Sequence, residues 1–234
     1  MYPDAKVAQK LYNYTFGPAE TRDNRDFCVF EIEANPAHYQ QLKEKEDAYA
    51  RLGWRYKVMN VGLSDRHETI SFYGRNDEYH NEWGFSTKKF FDGAKQVDVP
   101  TIRFSSWLKE HVLPRELPSK VYGQYNEDRP VIMVKLDIEG SEFVVLPDLI
   151  SSGVFCELDL VFGELHGKNA PYNFSGLDVP LQTREQAKDF ERVILNMIKS
   201  LRMCKASFLI EDDESYLHDG IPLPTATANQ SGLI

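Results

Sequence analysis

Short apolar runs alternate along the chain with longer segments whose apolar residues recur at helical spacing. This alternation is typical of an α/β fold in which a parallel or mostly parallel sheet carries helices on both faces. The predicted strands span residues 27–33, 54–60, 69–73, 97–102, 131–137, 158–164 and 206–210. The predicted helices span residues 5–14, 36–52, 105–111, 142–150 and 183–203. No repeat or linker interrupts the pattern, so we expect a single domain over residues 1–234.

Two of these segments carry more specific signals. Residues 131–137 are almost continuously apolar, which predicts a central strand that is buried on both faces. The helix at 105–111 opens on serine, a residue that commonly caps a helix N-terminus through its hydroxyl. We therefore expect a serine cap on this helix.

Acidic side chains stand at the carboxyl ends of three predicted strands. Glu33 ends the first strand, Asp137 ends the central one, and Glu164 ends the next. Glu139 follows closely on the second of these acids, and His166 on the third. Ligands of doubly wound sheets bind beyond the carboxyl ends of the strands, so this convergence predicts a ligand site. The carboxylate of Glu33 suits a ribose diol, although a solvated acid at a strand end would give the same pattern.

Two basic residues near these acids have alternative interpretations. His166 has the side chain best matched to a general base near neutral pH, but a histidine near a strand end also commonly makes a structural hydrogen bond. Lys135 lies two residues before Asp137 and therefore shares its face of the strand. We expect Lys135 to form a structural ion pair rather than to act in catalysis.

Composition narrows the classes of partner. The chain has 234 residues, of which 42% are hydrophobic and 27% charged, enough for one large α/β domain. Its formal charge of −9 disfavours nucleic acid and anionic membrane surfaces as partners. No stretch approaches the roughly 20 apolar residues of a membrane helix, and residues 1–4 lack the layout of a signal peptide. A soluble chain without a membrane segment is expected.

Cysteines and asparagines give opposite indications of the compartment. The sequence contains three cysteines, Cys28, Cys156 and Cys204. Their odd number and the lack of metal-type spacing favour buried thiols over a disulfide framework. Three N-glycosylation sequons begin at Asn13, Asn173 and Asn229, whereas the eleven asparagines would give about one by chance. This excess indicates a secretory lumen, with coincidence as the alternative, so no localisation is assigned.

Four strings of residues, in this order, resemble the successive motifs of one family. They are FEIEANP at 30–36, NVGLSD at 60–65 with ETISFY at 68–73, VKLDIEGSE at 134–142, and ELH at 164–166. These strings are similar to those of FkbM-type S-adenosylmethionine-dependent methyltransferases, and the K-x-D-x-E-G-x-E pattern is the specific one among them. The tail over 208–224, with DDESY at 212–216, resembles a eukaryotic branch of that family.

The resemblance implies a class I methyltransferase fold, which is Rossmann-like and has three layers, and S-adenosylmethionine as cofactor. It also implies O-methylation of a hydroxyl on a small-molecule or glycan acceptor, a sugar or a related compound. By position, Glu33 would hold the cofactor ribose, Asn60 and Val61 would lie beside the adenine, and Asp137 would face the sulfonium. The acceptor side would be lined by Glu139, Glu142, Glu164 and His166. The candidate catalytic residues are therefore Asp137, Glu139, Glu164 and His166, of which one must remove the hydroxyl proton.

A metal ion and a lid are possible additions to this site. The acids together with His166 offer ligands suited to magnesium or manganese. Acids that enter a helix also satisfy its N-terminal electrostatics without an ion, so a divalent metal is not favoured and no metal ligand is assigned. The polar stretch at 76–89 contains His80, Trp83 and Phe85. It forms either a lid over the acceptor or a surface loop whose aromatic rings pack into the core.

One motif of the family has no counterpart upstream of Glu33. The family normally opens with a strand and a D-x-G-x-N-x-G loop that lets the cofactor approach the backbone closely. Here the only glycine before Glu33 is Gly17. We therefore expect an N-terminally shortened methyltransferase that lacks its first strand and binds S-adenosylmethionine weakly or not at all. The alternative is a degenerate, catalytically inactive methyltransferase-like binding domain; a nicotinamide oxidoreductase is disfavoured because it needs the same loop.

Overall fold

The structure, a computed structural model, describes residues 6–74, 84–89, 92–115, 130–167 and 183–211. These residues form two compact units, of which the first has residues 6–60 as its described part and the second begins at Val61. Each unit combines helices with parallel strands. The expectation of one domain over residues 1–234 stays a prediction.

The first unit is a strand–helix–strand motif preceded by a helix. Helix α1 spans Lys6–Phe16, strand β1 Cys28–Ile32, helix α2 Tyr39–Ala50 and strand β2 Arg55–Met59. The strands β1 and β2 pair in parallel along their whole length. Parallel pairing brings their carboxyl ends, where Glu33 and Asn60 follow, to the same edge.

In its described residues, the second unit contains two three-stranded sheets. One has the order β3-β5-β4, with strands Gly62–Ser64, Lys95–Arg103 and Glu68–Gly74; the other has the order β6-β7-β8, with strands Met133–Leu136, Leu160–Gly163 and Ser207–Ile210. Its helices are α3 Phe104–His111, α4 Glu142–Ser151 and α5 Arg184–Ser200. Strands β4 and β5 run antiparallel, and the other described pairs are parallel. The predicted mixed α/β structure with mostly parallel strands is confirmed for the described residues.

Strand β6 is shorter and more exposed than its sequence indicates. Only Leu136 among its four residues is buried, and Lys135 is exposed. Strand β7, in contrast, is buried at all four positions. Within the described residues β7 pairs on both sides, with β6 and β8, whereas β6 pairs with β7 alone and β1 with β2 alone. The prediction of a strand buried on both faces is therefore wrong for β6, since only Leu136 is buried. In the described chain β6 is an edge strand, and the helices that cover a sheet cover an edge strand less completely than an interior one.

The helix ends differ in how they are capped. Helix α3 follows directly on β5 at Arg103, no side chain caps it, and Ser105 lies inside it. The predicted serine cap is wrong because no loop separates strand from helix. Helix α5 instead begins with a capping box between Thr183 and Gln186. None of the helices in the described ranges is long and apolar enough to cross a membrane.

Cys156 and Cys204 form a disulfide bond, while Cys28 is free and exposed. The prediction of buried thiols is therefore wrong. Cys156 lies shortly before β7 and Cys204 shortly before β8, and these neighbouring strands are parallel. Segments that enter adjacent parallel strands meet at one edge of the sheet. A sequence separation of 48 residues conceals this proximity.

Candidate functional site

Three acids follow directly on strand ends, as their sequence positions predict. Glu33 is the residue after β1, Asp137 the residue after β6, and Glu164 the residue after β7. Because β6 and β7 are parallel neighbours, Asp137 and Glu164 emerge at the same edge of their sheet. Glu33 belongs to the first unit.

His166 is surrounded by four carboxylates of the second unit, and we call these five residues the His166 cluster. Its Nε2 atom lies 3.2 Å from Oε2 of Glu164, 3.9 Å from Oδ1 of Asp137 and 4.0 Å from Oε2 of Glu139. Its Nδ1 atom lies 3.0 Å from Oε1 of Glu142. The His166 side chain is 13% exposed, whereas the three carboxylates near Nε2 are 28% to 37% exposed. The structure thus brings together the four residues predicted to be catalytic. The carboxylates of the three acids among them are accessible to a ligand.

Glu142 anchors this cluster from inside the protein. It is the first residue of α4 and is fully buried, so the prediction that it lines the acceptor side is wrong. Its Oε1 accepts the backbone N–H of Ile138 at 2.8 Å, and its Oε2 accepts that of Gly140 at 2.8 Å. Since Oε1 also contacts the imidazole, Glu142 joins the turn after β6 to the ring that the other acids face.

These carboxylates set the protonation state of His166. Burial by itself would lower the pKa of His166, but the hydrogen bond to Glu142 and the charges of Glu142, Glu139 and Asp137 outweigh burial and raise the pKa to about 9. The ring is therefore an imidazolium at neutral pH. An imidazolium has no free lone pair to take up a proton, so this geometry favours a carboxylate over His166 as the base.

The raised pKa of His166 predicts how stability depends on pH. A histidine whose folded pKa of about 9 exceeds its unfolded value of about 6.5 stabilises the fold in its protonated form. That contribution is complete below about pH 6.5 and is lost as the pH rises through about 9. We expect the free energy of unfolding, measured with urea, to fall over this range. The variant His166→Asn, whose amide can keep the contact with Glu142, should show a flatter dependence, and an equally steep fall would contradict the assignment.

The cluster also has spacing that a metal site could use. One ligand-type atom from each of Asp137, Glu139 and His166 lies within 4.8 Å of the others. A metal ion bound at this ring nitrogen would have to displace the proton that the surrounding acids favour there, so a metal and a proton compete for the same atom. Lys135 adds a second positive charge, because its Nζ lies 3.5 Å from Oδ2 of Asp137 in the predicted ion pair. On this spacing alone we assign no metal ligand.

The first unit brings together Glu33 and Asn60, two of the residues predicted to bind the cofactor. Nδ2 of Asn60 donates hydrogen bonds to the backbone oxygens of Glu33 and of the next residue, at 2.8 and 3.3 Å. Oε1 of Glu33 accepts the N–H of Asn35 at 2.7 Å, and Oε2 lies 3.6 Å from Nδ1 of His38. Val61, the third predicted residue, is half-buried and begins the second unit. The Glu33 carboxylate is thus held in place at the strand end and remains partly exposed.

A family model for the methyltransferase FkbM domain matches residues 12–201. The chain belongs to the FkbM methyltransferase family. The matched range includes the strand-end acids and the whole His166 cluster. No curated protein and no solved structure matches the chain. The tail after residue 201 lies outside the match, so the eukaryotic branch stays a prediction.

The described part of the long polar stretch packs against the core of the FkbM domain. Phe85 is buried, and its ring stacks on that of Phe72 with centroids 5.2 Å apart. For this ring the core-packing alternative is confirmed. His80 and Trp83 lie outside the described residues, so a lid formed by them stays a prediction.

Ser86 is a residue of this FkbM domain that sequence reasoning missed. Its hydroxyl donates a hydrogen bond to the backbone oxygen of Glu139 at 3.0 Å. The two residues are 53 positions apart, and neither motif nor periodicity connects them. Only the fold places Ser86 beside the His166 cluster.

Proposed function

We propose that this FkbM domain is an S-adenosylmethionine-dependent O-methyltransferase that acts on a hydroxyl of a sugar or a related small molecule, with a class I, Rossmann-like three-layer fold. The family match supports methyl transfer. The observation that carries the hydroxyl acceptor is the His166 cluster, in which three partly exposed carboxylates meet around one imidazolium. Carboxylates accept hydrogen bonds from hydroxyls, and a sugar presents several hydroxyls at once.

The residues of the cluster have different roles in activating the acceptor hydroxyl. S-adenosylmethionine, when bound, supplies an electrophilic methyl group. Asp137 is assigned as the group that accepts a hydrogen bond from the acceptor hydroxyl and takes its proton as the oxygen is methylated. It is the most exposed acid of the cluster and lies 3.9 Å from the imidazolium, beyond hydrogen-bonding distance. Glu139 and Glu164 orient neighbouring hydroxyls, and His166 holds the acids together.

Glu33 and Asn60 would hold the cofactor in the first unit. A ribose diol offers two hydroxyl donors, and an ionised carboxylate is an acceptor with two oxygens, so the donor set fits. The Asn35 N–H fixes one oxygen of Glu33, which presets the orientation of the carboxylate. Asn60, tied to the backbone at Glu33, and Val61 would lie beside the adenine.

Titration with S-adenosylmethionine, observed by NMR, and transfer of a labelled methyl group to a panel of sugars test the proposal. We expect saturable binding of the cofactor, because the Glu33 carboxylate offers two acceptor oxygens to a ribose diol. We expect Glu33→Ala to weaken the binding of S-adenosylmethionine at least about tenfold, which corresponds to the loss of a single charge-assisted hydrogen bond. Glu44→Ala, which removes an exposed acid of α2, should leave binding unchanged. Absence of both binding and transfer would refute the proposed function.

A degenerate, catalytically inactive binding domain is the second candidate. It is favoured by the same cluster, because carboxylates around an imidazolium bind hydroxyls whether or not a methyl group is transferred. Such a domain would use the His166 cluster to bind a sugar without modifying it. Sugar binding that depends on Glu164, with no methylated product in the presence of the cofactor, would favour this candidate.

A further inference from the structure

Glu139 adopts a backbone conformation that needs support. Among the described residues it is the non-glycine residue with a positive φ, at 51°. The left-handed region is unfavourable for a residue with a Cβ atom, so it persists only where the surroundings hold it. This conformation determines where the Glu139 side chain leaves the turn after β6, and its Oε2 lies 4.0 Å from Nε2 of His166.

The Ser86 hydroxyl stabilises this turn by a direct hydrogen bond to its backbone. Oγ of Ser86 donates to the backbone oxygen of Glu139 at 3.0 Å. Ser86 is 1% exposed, so water does not compete effectively for this hydrogen bond. On the other side of the turn, Glu142 accepts the N–H of Gly140. The turn is therefore held at two successive residues by partners from different parts of the chain.

Ser86 is itself fixed by the sheet. Its backbone exchanges two hydrogen bonds with Tyr73 of β4, at 2.7 and 3.2 Å. The preceding residue, Phe85, stacks on Phe72 of the same strand. The Ser86 hydroxyl also accepts the N–H of Lys88 at 3.2 Å, which orients its proton towards Glu139. Ser86 is thus fixed to β4 by an isolated bridge, and it presents its hydroxyl to the turn at Glu139.

We propose that Ser86 is a positioning residue that sets the place of the Glu139 carboxylate in the His166 cluster and thereby the orientation of the acceptor. The proposal rests on the proposed function for its effect on turnover, but its effect on the cluster does not depend on turnover. Ser86 touches no acid side chain of the cluster in the described structure and acts through the backbone of Glu139.

The test compares Ser86→Ala with Ser86→Thr, which keeps the hydroxyl, and with Ser71→Ala, which removes a serine hydroxyl that binds Asp98 instead. The first readout is the NMR signature of the His166 ring nitrogens, which senses the nearby carboxylates without any methyl transfer. We expect Ser86→Ala to shift these signals towards those of Glu139→Gln. We expect Ser86→Thr to stay near wild type and Ser71→Ala to leave the signals unchanged.

A double-mutant cycle separates positioning from general destabilisation. If Ser86 acts through Glu139, adding Ser86→Ala to Glu139→Gln should change the ring signals little further. The second readout is turnover, where we expect a loss of roughly tenfold to a hundredfold in kcat with little change in KM for the cofactor. Unshifted ring signals in Ser86→Ala, or additive effects in the double variant, would overturn the proposal. A wild-type protein that transfers no methyl group would count against the proposed function. The role of Ser86 would still be tested by the NMR comparison, because that comparison needs no methyl transfer.

A second inference is independent of the reaction and concerns covalent modification. The Cys156–Cys204 disulfide is a feature of proteins that mature in an oxidising compartment. The three sequons exceed the one or so expected by chance and indicate the same compartment. One observation comes from the fold and the other from the sequence, so they support each other without sharing a premise.

Asn13 is the sequon asparagine that the structure describes. It lies on α1 and is exposed. Its Oδ1 accepts a hydrogen bond from Arg22 at 3.1 Å, whereas an N-linked glycan is attached to Nδ2, so both are compatible. Thr15 of the same sequon is buried, which means that the sequon has to be recognised before α1 packs. We infer that the chain matures in an oxidising, glycosylating lumen and that Asn13 carries an N-linked glycan.

Protein isolated from its native cells tests this inference. We expect an enzyme that removes N-glycans to increase its electrophoretic mobility, and Asn13→Gln to remove one step of that shift. Asn196→Gln, which alters an asparagine outside any sequon, is the matched control. A thiol reagent should label Cys28 at once but Cys156 and Cys204 only after reduction. An unmodified Asn13, or free thiols at both paired cysteines, would overturn the inference.

Discussion

Replacing Asp137 by asparagine is expected to reduce methyl transfer by roughly a hundredfold to ten-thousandfold, the range over which a positioned acid or base contributes. The substitution keeps the shape of the side chain but removes its ability to take a proton. Stability should change little, because Asp137 is 37% exposed, its ion pair with Lys135 is a surface contact, and the His166 ring keeps its closer partner Glu142. The measurements are single-turnover transfer to a sugar acceptor and, in parallel, urea unfolding.

The control for this experiment is Asp189→Asn on α5. Asp189 is an exposed acid paired with Arg192, so its replacement removes the same charge from a surface helix. Unchanged turnover in Asp137→Asn would refute the assigned role. A larger loss in Glu164→Gln than in Asp137→Asn would move the base to Glu164, whose carboxylate lies nearer to the imidazolium at 3.2 Å.

Replacing Gly163 by alanine is expected to destabilise the protein by at least about 4 kcal/mol, a size reached only by severe steric or polar disruption of a core. Gly163 has a φ of 148°, and a Cβ atom there would lie 1.7 Å from the backbone oxygen of Leu136. These two residues are direct partners in the pairing of β6 with β7. Backbone cannot yield as a flexible side chain can, so the strands would have to separate at the point from which Asp137 and Glu164 emerge.

Gly153→Ala is the matched control for this substitution. Gly153 also has a positive φ, of 78°, but nothing lies within 4 Å of a Cβ atom placed there. Its replacement should cost only about 1 kcal/mol, the strain of the left-handed region itself. Urea unfolding of both variants measures the difference. Equal losses in the two variants would show that the backbone clash at Gly163 is relieved without separating the strands.

The parts of the fold that could be predicted are those with local causes. The Gly17-Pro18 pair marks the end of α1, which stops at Phe16, and Gly17 adopts the positive φ of a helix-ending glycine. Acids after strands were predictable as a group, since a strand pattern ends where polar residues begin. Strand β3 was missed because its three residues are too few to show a period.

The parts of the site that could not be predicted depend on contacts between distant segments. An acid at the start of a helix is ordinarily exposed, so nothing local indicates that Glu142 is buried beneath His166. Its backbone partners come from a turn whose positive φ at Glu139 has no sequence signature, because glutamate rarely adopts it. The imidazolium state of His166 follows from this burial and from the assembled acids, and therefore becomes visible only with the fold.

The disulfide between Cys156 and Cys204 also makes the stretch between them a covalent ring. The ring contains β7, the segment at 168–182 and the whole of α5. A protease that cuts once anywhere inside it leaves two pieces joined through sulfur, so the cut remains invisible on a denaturing gel until a reductant is added. Strand β8 begins shortly after Cys204, and such a nicked chain would still hold it by a covalent route to the rest of the sheet.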